Sequence, residues 1–342
     1  MEHLIKVGVI GAGRIGRLHA ENLVRRIPGA EAVAVADVVE EAARGLAEGL
    51  GIPNAFGEPS PILGDPSIDA VLICSSTDTH ARFIEQAAQA GKHIFCEKPI
   101  ALDLEEIDRA LAAVERAGVI LQVGFNRRFD PSFAEARRLV QSGAIGKPHV
   151  LKITSRDPAP PPIDYIKVSG GIFLDMTIHD FDMARFLMGE EVVEVFASGT
   201  VLVDPKIGEV GDVDTAVVTL RFSSGALGVI DNSRRATYGY DQRVEVFGER
   251  GMVRVENPKP HQAVLSSEDG DYSPPLLHFF VERYAESYVR ELTDFLACVR
   301  EGKQPPVTGR DGKIPVVMGY AAKRSLEAGR PVKLSEIDPS LG

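Results

Sequence analysis

The sequence predicts an α/β fold: a doubly wound parallel sheet in the first half, then a second domain with a largely antiparallel sheet. Three observations predict it. An apolar, β-branched run, Val7–Ile10, ends in Gly11, Gly13 and Gly16 and passes directly into a helical pattern. Short apolar strands then alternate with amphipathic helices, the rhythm of a parallel sheet. Beyond Val192 the texture changes to Val-, Ile- and Thr-rich runs joined by tight turns, the pattern of successive hairpins. The expected division is residues 1–125 for dinucleotide binding and 126–342 for substrate binding and oligomerisation.

The spacing Gly11-x-Gly13-x-x-Gly16 carries meaning because a strand precedes it and a helix follows. Gly11 suits the tight turn, Gly13 the close approach of a pyrophosphate, and Gly16 the packing of helix on strand. The next helix, residues 15–27, has Ile15, Leu18, Leu23 and Ile27 at near-helical spacing, and its N-terminus offers free N–H groups to phosphate. A merely glycine-rich loop is the plain alternative, and the flanks argue against it. Ala32–Ala36 is a buried strand ending at Asp37, 21 residues past Gly16. An acidic residue at about 20 is the expected partner of the adenosine ribose. With Val38 and Val39 following and no adjacent arginine for a 2′-phosphate, NAD is favoured over NADP. Asp37 would also serve as N-cap of a helix over Glu40–Leu50.

The alternation continues. Ala70–Cys74 is a strand with Ser75-Ser76-Thr77 at its polar end, and helix Thr79–Gly91 follows. Strand His93–Cys96 ends at Glu97-Lys98-Pro99; helix Leu102–Gly118 opens on an acidic first turn that favours its dipole. Strand Val119–Val123 ends at Gly124-Phe125-Asn126-Arg127. Ligands of open α/β sheets lie beyond the carboxyl ends of the strands. The glycine loop, Asp37, Ser75–Thr77, Glu97-Lys98 and Asn126-Arg127 all follow strands, so five groups fall on one sheet edge. Each alone reads as a loop residue; together they mark a site. Pro99 holds Lys98 extended and admits a cis Lys98–Pro99 bond.

Asp130-Pro131 reads as N-cap and first turn of a helix running to about Ser142. Strand Val150–Thr154 leads into a proline-rich loop, Ser155–Pro162. Gly170-Gly171 precedes an amphipathic helix over 172–188, which sets Asp175 and His179 four residues apart on one face. That spacing alone also fits an ordinary surface pair, and a metal reading lacks a third ligand. Strands follow at Val192–Val203, Thr215–Phe222, Ala226–Asn232, Arg243–Phe247 and Met252–Glu256, then helices over 279–301 and 314–328. One face of this sheet covers helices; the other, carrying Val and Ala, is expected to meet another subunit.

The bulk numbers fit this picture. A chain of 342 residues suggests roughly two domains, each with a full core. A net charge of −11 argues against nucleic acid as partner. The three cysteines Cys74, Cys96 and Cys298 include no C-x-x-C, which fits a reducing cytoplasm. No apolar run is long enough to span a bilayer, and the first strand begins too early to leave room for a signal peptide.

Cys96-Glu97-Lys98-Pro99, then Gly124-Phe125-Asn126-Arg127-Arg128-Phe129-Asp130, then Gly170-Gly171-Ile172-Phe173-Leu174-Asp175-Met176-Thr177-Ile178-His179-Asp180 resemble the glucose–fructose oxidoreductase / inositol dehydrogenase / rhizopine-catabolism family. The resemblance covers essentially the whole chain. Ile153–Pro162 and Phe181–Gly189 look like its inositol 2-dehydrogenase branch. It implies a Rossmann domain, a domain with an open mixed sheet, and homotetramers built through those sheets. It also implies a catalytic Lys98 with Asp175 and His179 as acid–base pair, and it places Glu97-Lys98 beside the nicotinamide and the polyol ring. Asn126, Arg127 and Asp157 carry over as substrate contacts beside Lys98, Asp175 and His179. The cofactor set is Gly11, Gly13, Arg14, Ile15, Asp37, Ser75, Ser76, Thr77, His80, Glu97 and Lys98.

Oxidising a secondary alcohol removes a hydride and a proton; the cofactor takes the first and the protein the second. Histidine suits this, being largely neutral at working pH, with Asp175 to orient it. Lys98 offers a compact charge for the developing alkoxide, or is itself the base. The expected reaction is NAD-dependent oxidation of an inositol ring hydroxyl to the keto-inositol. Another polyol or sugar, scyllo-inositol or a hexose among them, is the near alternative, and a non-catalytic NAD-binding protein the distant one.

Overall fold

The computed structural model describes residues 4–341. The chain opens with β1 (Ile5–Ile10), α1 (Arg14–Arg26), β2 (Ala30–Ala36), α2 (Glu40–Leu50), β3 (Asn54–Phe56), α3 (Ser60–Gly64), β4 (Ala70–Ile73), α4 (Thr77–Gln89), β5 (His93–Glu97), α5 (Leu104–Ala117) and β6 (Leu121–Gly124). It continues with α6 (Pro131–Gln141), β7 (Pro148–Arg156), α7 (Ile163–Val168), α8 (Ile172–Asp175), α9 (Thr177–Met188), β8 (Val192–Thr200), α10 (Pro205–Glu209), β9 (Thr215–Phe222), β10 (Leu227–Ser233), β11 (Asp241–Gly248) and β12 (Gly251–Val255). A small hairpin, β13 (Leu265–Ser267) and β14 (Gly270–Tyr272), precedes α11 (Phe280–Arg283), α12 (Ala285–Glu301), α13 (Gly309–Ala328) and β15 (Val332–Lys333).

Two compact units emerge: the chain up to Asn126 with Glu286–Val316, and Arg127–Ala285 with Val317 onward. The expected division at 125/126 differs from this over Glu286–Val316. The reason is burial: Leu292, Phe295 and Leu296 of α12 share a core with Val7, Val9, Val35, Leu72 and Phe95 of the parallel sheet. Phe295 stands 5.9 Å from Phe95, ring centroid to ring centroid.

In the first unit six strands run in the order β3-β2-β1-β4-β5-β6, every pairing parallel. The order reverses between β1 and β4, which opens a crevice at their carboxyl ends. β3 and α3, too short to stand out from sequence, complete this unit. The second unit holds a seven-stranded sheet, β12-β11-β7-β10-β9-β8-β15. Its pairings are antiparallel except β7 with β10, so the sheet is mixed. Along β9 burial alternates with period two. The inward residues face the core with α9, while Val217, Leu227, Phe247 and Met252 are exposed.

Asp130 caps α6 as expected, accepting from Ser132 N–H and Phe133 N–H. The single helix expected over 172–188 is instead two, α8 and α9, separated at Met176. Thr177 accounts for part of the break: its hydroxyl donates to Asn232 Oδ1 at 2.7 Å and also lies 3.2 Å from the Ile172 carbonyl, diverting the turn from regular pairing. Asp175 therefore closes one helix and His179 sits in the first turn of the next, so the one-helix-face expectation does not describe them.

Candidate active site

The glycine loop behaves as the spacing requires. Gly11 has φ +106°, and a Cβ there would lie 2.6 Å from the Cys74 carbonyl. A Cβ on Gly16 would stand 1.9 Å from the Gly11 oxygen. Gly13 differs: a Cβ there would meet nothing within 4 Å. The fold therefore has no need of glycine at 13, and the open space lies at the N-terminus of α1, where Gly13 is the N-cap with no side-chain cap. This is the cradle a pyrophosphate needs.

Asp37 reaches into the same loop. One carboxylate oxygen accepts from Ala12 N–H at 2.7 Å and the other from Val39 N–H at 2.9 Å. The cap of α2 is Val39, with no side-chain cap bond, so the N-cap alternative for Asp37 is not what the chain does. Beside Asp37, Val38 is 92% exposed and presents no cation to a 2′-phosphate.

At the end of β4, Ser75 Oγ and Thr79 Oγ1 are hydrogen-bonded at 2.7 Å, and α4 begins at Thr77. His80 is buried, with Nδ1 2.8 Å from the Pro99 carbonyl and Nε2 2.9 Å from the Ser75 carbonyl. Both ring nitrogens are thus taken up by backbone. His80, expected in the cofactor set, clamps the β4 turn to the turn after β5. Lys98 leaves the end of β5 half-buried, and the Lys98–Pro99 peptide is cis. At the end of β6, Asn126 is buried, and its Nδ2 has no hydrogen-bond partner among the described residues. A buried orphan donor at a strand end is suited to a ligand oxygen.

The remaining expected site residues lie in the second unit. Asp175 accepts from the Tyr165 hydroxyl at 2.9 Å and from Arg234 Nη1 at 3.4 Å. Arg234 is fully buried and also lies 3.6 Å from Asp212, which accepts from Ile172 N–H at the start of α8. A side chain on Gly171, at φ +80°, would collide with Asp212. Gly170 shares the positive φ, at +84°, so both positions before α8 suit glycine. Asp157 hangs at the end of β7; burial pushes its carboxyl up to about 6, with Asp175 adding to the rise and Arg234 and Arg127 opposing it.

Arg127 and Arg128 knit two recognised motifs together. Arg127 donates to Asp180 at 2.7 Å and approaches the Tyr240 hydroxyl at 3.4 Å; Arg128 grips Asp182, with Nε shared between its two oxygens at 2.9 and 3.0 Å and Nη2 donating at 2.5 Å. Burial raises the Asp180 carboxyl, and Arg127 and Asn232 pull against that rise. Arg127, expected as a substrate contact, is therefore committed largely to Asp180.

Sequence reasoning missed Tyr165, Arg234, Asp212, Tyr240 and Asn232. The pairing that groups Arg234 with Asp157 is visible only in the structure. The parallel pair β7/β10 ends at a common edge, where Asp157 N–H donates to the Ser233 carbonyl at 2.9 Å. The strand-end rule applied to that pair brings Arg234 beside Asp157.

Residues 5–125 match the oxidoreductase family with an NAD-binding Rossmann fold, and residues 133–254 match the GFO/IDH/MocA C-terminal domain. The chain belongs to the GFO/IDH/MocA family. As a member it is an NAD-dependent oxidoreductase. A myo-inositol 2-dehydrogenase of Thermotoga maritima is 57% identical, covering 97% of this chain and 99% of its own. An inositol 2-dehydrogenase of Rhizobium meliloti is 47% identical over 97% of this chain and 99% of its own. Among solved structures, a probable dehydrogenase from Thermotoga maritima superposes with TM-score 0.96 at 57% identity, covering 97% of this chain and 100% of its own. The scyllo-inositol dehydrogenase of Lactobacillus casei with bound NAD(H) and scyllo-inositol superposes with TM-score 0.91 at 31% identity, covering 97% and 99%.

Proposed function

We propose that this GFO/IDH/MocA protein oxidises a ring hydroxyl of inositol, of the myo-inositol 2-dehydrogenase type, to the keto-inositol. The observation that carries the reading is an open dinucleotide cradle at Gly13 and Asp37, in a chain whose Asp175 carboxylate is held by Tyr165 and Arg234. Its kinship with inositol dehydrogenases at 57% and 47% identity supports the substrate class.

NAD when bound supplies the hydride acceptor. The chain's own groups do the rest. Lys98 stabilises negative charge on the reacting oxygen as the O–H bond breaks. His179 takes the proton, and Asp175 orients the imidazole and compensates its charge. Arg234, buried behind Asp175, keeps that carboxylate aimed. Asn126 and Asp157 hold neighbouring hydroxyls. We infer that the enzyme works as a homotetramer joined through the exposed sheet face of Val217, Leu227, Phe247 and Met252. A patch of this kind on one sheet face is what a subunit interface covers. A reducing cytoplasm suits its cysteines, of which Cys74 and Cys96 are buried and all three are free.

Purified protein with NAD, presented with myo-inositol, scyllo-inositol, other inositols and hexoses and read by NADH absorbance, tests the proposal. Preferred turnover of myo-inositol is expected. Turnover of a different sugar alone would move the substrate elsewhere in the family, and no turnover of any polyol would end the dehydrogenase reading.

A further inference from the structure

Behind Glu97, on the side of the sheet that α1 and α12 cover, the first unit buries a carboxyl that the reaction does not use. His19 of α1 brings Nε2 to 2.7 Å from Glu97 Oε1 and 3.9 Å from Glu291 Oε1 of α12. His19 and Glu291 are fully buried, and neither carboxyl oxygen of Glu291 has a hydrogen-bond partner among the described residues. The helix is held at this point by Gln122 of β6, whose side chain donates to the Glu291 carbonyl at 2.8 Å. Around the cluster stand Phe95 and Tyr288, whose rings meet the His19 ring edge-on at 5.1 and 5.7 Å. The titratable neighbours are Cys74 of the β4 end and Cys96 of β5, both buried thiols whose ionisation burial opposes. No arginine or lysine is paired with Glu291 among the ion pairs of the described residues.

Two carboxylates facing one imidazole in an apolar pocket repel each other, and an unpaired buried charge is costly. Burial, and then the Glu97 charge, push the Glu291 carboxyl well above the usual carboxylate range. Glu97 keeps the hydrogen bond from His19 and its partial exposure; Glu291 has neither. The trio is also a set that metal ions favour. However, 2.7 Å between Nε2 and Oε1 is a hydrogen-bond separation. Two ligand atoms each about 2.1 Å from a tetrahedral zinc would stand about 3.4 Å apart.

We propose that Glu291 is a positioning residue for Glu97-Lys98: an unpartnered buried carboxyl on α12, held as the neutral acid, that backs the His19–Glu97 bond. Glu97 immediately precedes Lys98, so the cluster fixes where the lysine leaves the strand. The proposal rests on the reading of Lys98 as an active-site group.

Two variants of the full-length enzyme test it, with whichever polyol the wild type turns over. Glu291→Gln reproduces a neutral acid of the same shape; Glu291→Met fills the volume without a polar group. The infrared spectrum of wild type at pH 7 should contain the carbonyl stretch of a neutral buried carboxylic acid that Glu291→Gln lacks. Glu291→Gln should keep kcat within about threefold. Glu291→Met should lose at least about tenfold in kcat while its NAD affinity, measured by calorimetry, changes less than about threefold. No infrared band separating wild type from Glu291→Gln would overturn the proposal, since Glu291 would then be charged. So would wild-type kcat in Glu291→Met, or a Glu291→Gln enzyme as slow as Glu291→Met. The infrared comparison needs only the isosteric variant, so it decides even where Glu291→Met fails to fold. It also needs no substrate, so it stands apart from the inositol assignment.

Discussion

Asp157 illustrates how a single residue carries stability that function has given up. Its carboxyl is raised to about 6, so the folded chain holds that proton where the unfolded chain, near the ordinary value of 3.8, has released it. The folded state binds more protons between about pH 4 and 6, so this contribution to stability falls as pH rises through that window and stays lost above it. Asp157→Asn should therefore raise unfolding free energy at pH 8 by about 1–2 kcal/mol, discounted for the partial exposure of the group. The gain should vanish at pH 4. Urea titrations at the two pH values check it; a gain that is the same at both would mean the effect is not ionisation. His179 makes the complementary case. His179→Ala should cut turnover about 10²-fold or more while NAD still binds, measured by steady-state kinetics beside calorimetry. Equal loss of NAD affinity would make His179 a cofactor or folding residue. The catalytic candidates were legible because Asp175 and His179 stand in one short motif. Arg234 was not, since it lies 59 residues from the carboxylate it braces.

At the scale of elements, the glycine loop separates folding from binding. Gly16 is fixed by backbone contact with Gly11, whereas Gly13 touches nothing of its own chain. Gly13→Ala, at φ −69° where alanine is at ease, should leave the thermal midpoint near wild type and weaken NAD by at least about tenfold. Gly16→Ala should instead cost about 3 kcal/mol or more, or prevent folding. Thermal melts with and without NAD distinguish the two. These strand-end features were readable because positive φ and close backbone approach leave glycine in the sequence. The break between α8 and α9 was not, because it depends on a Thr177 hydroxyl bonding to Asn232, 55 residues on. The period of apolar residues runs on through 172–188 and conceals it. The paired arginines make a third case. Arg128→Ala would remove the guanidinium that holds the buried Asp182 carboxylate, at a cost of about 3–5 kcal/mol by denaturant titration.

For the whole molecule, the parallel alternation and the hairpin texture separated the two sheets, and local pattern was enough for that. The assignment of α12 to the first unit was not readable, because an amphipathic helix does not say which sheet its apolar face will cover; Leu292, Phe295 and Leu296 settle it only through packing. The exposed sheet face follows the strand period and was legible, though a period alone does not say what covers that face. Leu227→Glu paired with Phe247→Glu should convert the proposed tetramer to smaller species in sedimentation, with the secondary structure intact by circular dichroism.

The central claim is the proposal that Lys98, Asp175 and His179 act on one bound ring. A crystal structure of the enzyme with NADH and myo-inositol tests it most directly. The account predicts the Lys98 ammonium and the His179 imidazole both within hydrogen-bond distance of a single ring hydroxyl, its carbon facing the nicotinamide. A ring held elsewhere, or those side chains pointing into separate regions with both ligands bound, would contradict it.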